Sequence, residues 1–223
     1  MVIEDLAYFG MDFRKDYSHP GQPPFQPTVA NYTDNFILLI SSSKAFSYAG
    51  QRIAMLIMSE TLYNSQYNDL LEYYTSNVLG NALIYSTIQL TTGGVPQSVQ
   101  FGFAEMLKAA SDGVYNFVDD VRIYGKKAEV LKKIFVDNGF NIVYDMDGNE
   151  PLADGFYFTV SFPGFQGDEL SEILLYYGIS SIPLSSTGSY RTEGIRACVS
   201  LVQDEALPDL KKRLGLFNKH YRK

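Results

Sequence analysis

The chain has 223 residues, 46% hydrophobic and 19% charged, with a net charge of −7; that is enough apolar material for a core of one or two domains and excludes a disordered chain. The acidic balance, with no basic patch against it, excludes a nucleic-acid partner. Cys198, the one cysteine, excludes an internal disulfide framework and fits a cytoplasmic protein, while no stretch of membrane-spanning length and no basic start in residues 1–5 point to a membrane or a signal peptide.

In chain order, residues 2–5 read as a strand end that delivers Asp5. Residues 9–35 hold Pro20, Pro23, Pro24, Pro27 and Gly21 and form a loop. The apolar run 36–40 is a buried strand; after a turn at Gly50, residues 53–58 are another. Ser59 caps a helix that runs through Leu62, Tyr63, Leu70 and Leu71. The Gly93-Gly94-Val95-Pro96 break precedes a helix over 97–110. Residues 119–138 form a long amphipathic helix, with Val121, Val130, Leu131, Ile134 and Phe135 on its apolar face, Lys126, Lys127, Lys132 and Lys133 on its wet face, and Gly139 as its stop. A domain junction falls in or near this helix, dividing the chain into 1–115 and 116–223.

The second part reads as a small α/β unit. It has a strand over 156–162 and a helix capped by Asp168 that reaches Tyr177. A short strand over 179–184 and a longer one over 195–202 follow, then a terminal helix over 204–221 with Pro208 in its early turns. His19 and His220 read as surface residues, and Lys211-Lys212-Arg213 as a solvated face.

The chemistry concentrates in Ser41-Ser42-Ser43-Lys44, followed by Arg52 eight residues after the lysine. A lysine at the mouth of a buried strand loses solvent, which disfavours its charged form and frees the amine as a nucleophile. Hydroxyls and a guanidinium beside it suit a phosphate dianion. The set points to a phosphorylated aldehyde cofactor, pyridoxal 5′-phosphate, joined to the Lys44 amine. On this segment alone, a Ser-rich turn with a surface lysine accounts for the residues equally well.

Two further segments add to it: Asp5-Leu6-Ala7-Tyr8 near the start and Gly194-Ile195-Arg196-Ala197-Cys198 near the end. With them the chain resembles the class I/II aminotransferases, the fold-type-I pyridoxal phosphate enzymes. In that family an Asp-x-Ala-Tyr motif, a Ser-x-Ser-Lys motif, an arginine eight residues on and a C-terminal arginine follow one another in this order. The resemblance covers essentially the whole chain, but family members are about twice as long, so it implies the C-terminal half of such an enzyme. The expected fold is α/β: a remnant of the mainly parallel, three-layer large domain over 1–115 and the small C-terminal α/β domain over 116–223. The half that carries the glycine-rich phosphate turn would be missing, leaving a piece inactive alone and prone to self-association.

The resemblance also implies roles. Lys44 takes the cofactor aldehyde and moves the proton. Asp5 holds the pyridine nitrogen protonated, and Tyr8 donates to the phenolic oxygen. Ser41 and Arg52 bind the phosphate, and Arg196 clamps the substrate α-carboxylate. Arg191 competes for that last role; Arg196 is preferred because it lies in an apolar strand, where an unpaired guanidinium is costly. Cys198 is read as a packing residue. The implied partners are an amino acid and a 2-oxo acid, in a cytoplasmic homodimer, with no metal. A fold-type-I lyase or decarboxylase, which uses the same lysine and aspartate, and a non-catalytic dimerisation chain stand as alternatives.

Overall fold

The computed structural model describes residues 1–14, 19–153 and 155–222; residues 15–18 of the expected proline-rich loop lie outside them. The chain divides into two units, Met1–Gly10 with Asp16–Asp120, and Met11–Lys15 with Val121–Lys223.

The first unit holds a sheet of β1 (Val2–Asp5), β2 (Phe36–Ser41) and β3 (Ala54–Met58), in that order. β1 pairs with β2 in parallel, Asp5 opposite Leu39, and β3 pairs with β2 antiparallel, Ser41 opposite Ala54. The antiparallel return follows from the linker between β2 and β3. It is made of turns and one 3₁₀ turn, Ala49–Gln51, and builds no crossover helix, so the chain re-enters the sheet in the opposite direction.

Ser59 does cap a helix, its Oγ accepting from the Leu62 N–H at 3.1 Å, but this α1 spans only Glu60–Tyr63. The Asn64 and Ser65 side chains bond back to the carbonyls of Glu60 and Thr61, a competition that shortens helices. Leu70 and Leu71 fall in a separate 3₁₀ turn, Asn68–Glu72. A helical run that the sequence pattern did not announce follows: α2 (Leu79–Asn81), a π-helical stretch (Ala82–Ile88) and α3 (Gln89–Thr92). Next come α4 (Gln97–Ser111) and α5 (Phe117–Asp137), and the division between the units falls inside α5. The unit's core gathers Ala45, Phe46, Ile53 and Phe103, with Phe9, Met106 and Phe117 packed around them.

The second unit has β4 (Asn141–Ile142), a small hairpin of β5 (Met146–Asp147) and β6 (Glu150–Pro151), then β7 (Tyr157–Ser161), α6 (Gly167–Tyr176), β8 (Ile182–Pro183), β9 (Gly194–Cys198) and α7 (Leu207–Tyr221). Its main sheet runs β4-β7-β9-β8, every pairing antiparallel. Phe158 and Val160 of β7 and Ile195 of β9 face the core, where α5 contributes Leu131 and Phe135, α6 Leu170 and Leu174, and α7 Leu214 and Phe217. A second cluster is closed by a segment from far upstream. Met11, 3% exposed, packs with Val121 and Phe156, and Phe13 joins them.

Several local expectations shift. Gln166, not Asp168, is the N-cap of α6, and Asp168 sits in its first turn. β9 stops at Cys198, short of the expected 202. Val130 is 46% exposed, because the buried stripe of α5 runs through Val121, Ala128, Leu131 and Phe135. Cys198 is exposed rather than packed. Among the described residues no helix is long and apolar enough to cross a membrane.

Candidate active site

Five of the six expected site residues meet at one end of the first unit's sheet. In a parallel pair both strands end on the same side, so the segments after β1 and β2 emerge together, and an antiparallel β3 starts there. Asp5 ends β1 and Tyr8 follows it; Ser41 ends β2 and Lys44 follows; Arg52 precedes β3. Asp5 lies opposite Leu39, two residues before Ser41, so Asp5 and Ser41 share a face of the sheet.

The Lys44 Nζ stands 5.8 Å from the centre of the Tyr8 ring. Neighbours of both residues set this approach. Phe9, next to Tyr8, packs on Phe46, two residues beyond Lys44, with ring centroids 6.0 Å apart, and Phe46 also meets Phe117 at 4.7 Å and Phe103 at 5.1 Å. Ala45 and Phe46 are almost fully buried, so the lysine rises from a segment pinned on its C-terminal side. On its N-terminal side Ser42 is wholly buried and its hydroxyl donates to the Ile53 carbonyl at 2.6 Å, joining the two ends of the linker.

Each remaining group keeps an open valence. Asp5 Oδ1 accepts from the Ala7 N–H at 3.0 Å, while among the described residues Oδ2 has no partner. Ser41 Oγ accepts from the Ser43 N–H at 3.1 Å and retains its own proton to donate. Arg52 is exposed and spends one N–H on the Ala49 carbonyl at 2.9 Å, leaving the rest of its fork available. The backbone adds a sign of its own. Among the described residues the non-glycine residues with positive φ are Ser47 at 51° and Arg52 at 55°, both in the linker that carries Lys44. Such conformations cost about 1–3 kcal/mol each and cluster at working sites.

The sixth residue, Arg196, belongs to the second unit. It lies mid-sheet on β9, opposite Thr159 and Ile182, on the face away from Ile195 and the core. Its guanidinium carbon sits 4.3 Å from the centre of the Tyr157 ring, a diagonal cross-strand pair. It is half-buried, not sunk in an apolar strand as the sequence pattern suggests. Arg191 is engaged elsewhere. It pairs with Glu193 at 2.7 Å, donates to the Val143 carbonyl and lies over the Tyr144 ring. Its presence also helps hold the Glu193 carboxyl below its usual range, after the larger effect of the Glu193 backbone N–H. Among the described residues Arg196 has no ion pair, so its fork is the one left for an incoming anion.

Sequence reasoning passed over Phe9, Phe46 and Ser42, which position the lysine, and Tyr157, which carries Arg196. Tyr157 had a signal: strand alternation places it with Thr159 and apart from Phe156, Phe158 and Val160. The packing of Phe9 on Phe46 had none, since it joins segments far apart in the chain.

A family model, aminotransferase class I and II, matches residues 1–214. An aminotransferase from Staphylococcus aureus superposes with a TM-score of 0.69 at 15% identity, over 99% of this chain and 50% of that one. An aromatic aminotransferase from Pyrococcus horikoshii gives 0.68 at 16% identity, over 99% and 51%. LysN, an α-aminoadipate aminotransferase from Thermus thermophilus solved with N-(5′-phosphopyridoxyl)-L-leucine, gives 0.66 at 19% identity, over 99% and 50%. These likenesses show a mixed α/β architecture that is part of the fold-type-I arrangement, and the chain spans about half the length of the structures it matches. No curated protein sequence matches it significantly.

Proposed function

Because the chain belongs to the class I and II aminotransferase family, we propose that it forms part of a pyridoxal-phosphate-dependent aminotransferase, which moves an amino group between an amino acid and a 2-oxo acid. The observation that carries this reading is the meeting of an amine, a carboxylate, a phenol, a hydroxyl and a guanidinium at one sheet end, on a strained and anchored linker. That donor set fits pyridoxal phosphate: a cation and a hydroxyl for its phosphate, a carboxylate for its ring nitrogen and an amine for its aldehyde. When bound, the cofactor supplies the electron sink that stabilises negative charge on the substrate's α-carbon.

The chain's own residues do the rest. Arg52 and the Ser41 hydroxyl hold the phosphate by charge-assisted hydrogen bonds. Asp5, through Oδ2, holds a proton on the ring nitrogen, since a nearby carboxylate favours the cation. The Tyr8 hydroxyl donates to the phenolic oxygen, and its ring sets the position of the lysine. Lys44 would supply the amine that holds the aldehyde and would serve as the base that moves the proton between the α-carbon and the carbon on the far side of the amino nitrogen, two bonds away. Arg196 grips the α-carboxylate with two parallel bonds and so orients the bond to be broken. In this reading residues 1–115 belong to the large cofactor-binding domain and 116–223 to the small one. The working protein is a cytoplasmic homodimer: a single cysteine suits a reducing compartment, and the exposed apolar residues Val2, Ile3, Leu39 and Ile57 suit association.

The test is borohydride reduction of the protein isolated from its own cells with pyridoxal phosphate present, followed by peptide mass mapping. The expected result is a pyridoxyl group on Lys44, lost in Lys44→Ala together with nearly all turnover. A pyridoxyl group on another lysine overturns the assignment.

A further inference from the structure

Among the described residues the Arg196 side chain makes no hydrogen bond and no ion pair; what it meets is the Tyr157 ring, 4.3 Å from the guanidinium carbon. That ring is firmly placed. Its neighbours in β7, Phe156 and Phe158, are 6% and 5% exposed. The Phe156 carbonyl accepts from the Val199 N–H at 2.9 Å, just past the end of β9, and the Phe156 ring packs on Tyr124 with centroids 4.4 Å apart. With Phe156 and Phe158 fixed in the interior, strand alternation turns Tyr157 to the other face, the one Arg196 occupies. On that face Arg196 lies opposite Thr159 and Ile182, and Tyr157 lies opposite Cys198. None of these residues carries a carboxylate.

The way an arginine is held decides what it can still bind. A carboxylate holds a guanidinium by taking two of its N–H groups. An aromatic ring holds it through the negative face of the π-system and leaves those donors unspent. Arg191 shows the first case: it also lies near a ring, Tyr144 at 5.4 Å, but it pairs with Glu193 and donates to the Val143 carbonyl. Arg196 shows the second. A long side chain that is already fixed loses less rotamer freedom when its ligand arrives. We propose that Tyr157 is a positioning residue, which holds the Arg196 guanidinium by its ring and keeps the N–H fork aligned and free for the substrate α-carboxylate. This rests on the reading of Arg196 as the carboxylate anchor. The part that matters is the ring and not the phenol hydroxyl, and an acidic residue in its place would fix the arginine only by occupying it.

The test is an NMR titration of the purified chain with pyruvate, following the Nε–H signal of Arg196, which is identified by its loss in Arg196→Lys. Pyruvate should move this signal in the unaltered chain, and pyruvamide, which has no carboxylate, should not. In Tyr157→Phe the half-saturation should be unchanged. In Tyr157→Leu it should rise by roughly threefold, the fold-change that corresponds to a lost cation–ring contact at a part-exposed site, and the ring-induced shift of the Arg196 Cδ protons should disappear. Tyr157 is half-buried on the face away from the core, so both variants keep the fold. An unchanged half-saturation in Tyr157→Leu overturns the positioning role and leaves Arg196 as the carboxylate anchor. Weaker binding in Tyr157→Phe moves the effect to the hydroxyl and also overturns it. If pyruvate does not move the Arg196 signal in the unaltered chain, the carboxylate reading fails and this role fails with it.

Discussion

Arg191 and Arg196 stand at the entrance and the middle of one strand, and their surroundings decide which of them keeps its guanidinium clear of an ion pair among the described residues. Arg191 already has a carboxylate and a carbonyl, whereas Arg196 has a ring beneath it and no ion pair among the described residues. Arg196 is half-buried and a hydrogen bond to a charged group contributes about 1.5–3 kcal/mol, so in the role proposed above Arg196→Lys should lower kcat/KM roughly tenfold or more. A lysine cannot restore two parallel bonds. Arg191→Lys should have little effect, and an amidated substrate should be insensitive to either change. A large carboxylate-dependent loss in Arg191→Lys would reverse the choice. Tyr115 gives a second prediction at this scale. Burial, and then its hydrogen bond to Asp120, push its pKa from 10.0 to about 12. The folded state thus keeps a proton that the unfolded state releases, and its contribution to stability is present below pH 10 and lost as pH climbs from 10 toward 12. With 17 tyrosines in the chain, the readable quantity is a difference: the urea midpoint of Tyr115→Phe should fall less steeply between pH 9.5 and 11, on the order of the folded-state shift, than that of the unaltered chain. Identical slopes would contradict it. The candidate site's residue types could be proposed from the sequence because each chemistry has few side chains to choose from. Their exposure was not, as Arg196 shows, because the pairing across β7, β9 and β8 decides which face an arginine takes.

Among the elements, those with a long one-sided period could be read directly. α4 and α5 repeat apolar residues over several turns, and both lie within two residues of expectation. Val130 misled because its spacing suits either flank of the stripe, and the neighbouring α6 and α7 settle which flank is covered. The run from Leu79 to Thr92 was illegible: it is broken into α, π and α stretches, and a π turn shifts the period that an amphipathic pattern needs. β4, β5 and β6, at two residues each, are too short to alternate and exist only through their partners, while β8, equally short, falls inside the strand expected over 179–184. One close contact between elements is testable. Gly167 opens α6 against the chain entering β9, and a Cβ there would overlap the Gly194 carbonyl oxygen and lie 2.8 Å from that of Thr192. Both are backbone atoms that cannot step aside, and the Gly167 N–H already donates to Thr192 at 2.9 Å. Gly167→Ala should therefore destabilise the second unit by about 1–3 kcal/mol or more, seen as a lower urea midpoint. A midpoint equal to that of the unaltered chain would show that α6 can move off β9.

For the whole molecule, the first unit's sheet is the weak point. Three strands leave both outer edges, β1 and β3, without a partner strand among the described residues, and Val2, Ile3 and Ile57 are 44%, 57% and 42% exposed. Open edges with apolar side chains recruit other chains. The purified chain should self-associate in light scattering at micromolar concentration, and Ile3→Lys with Ile57→Lys should shift it toward the monomer, since edge lysines oppose strand addition. A stable monomer before any substitution would count against this.

Met11 and Phe13 show how the order of synthesis bears on folding. They are made well before Val121 and Phe156, the other members of the cluster they complete. During translation this strap emerges long before its seat exists, and its contacts, which are among the most distant in sequence, form late if folding follows loop-closure cost. The second unit is thus finished by a piece of the chain made before the rest of that unit. Expressed alone as residues 121–223, it would present an apolar hole at Phe156 where Met11 should sit, and an early pause in synthesis would leave Met11 and Phe13 in water with nothing to cover.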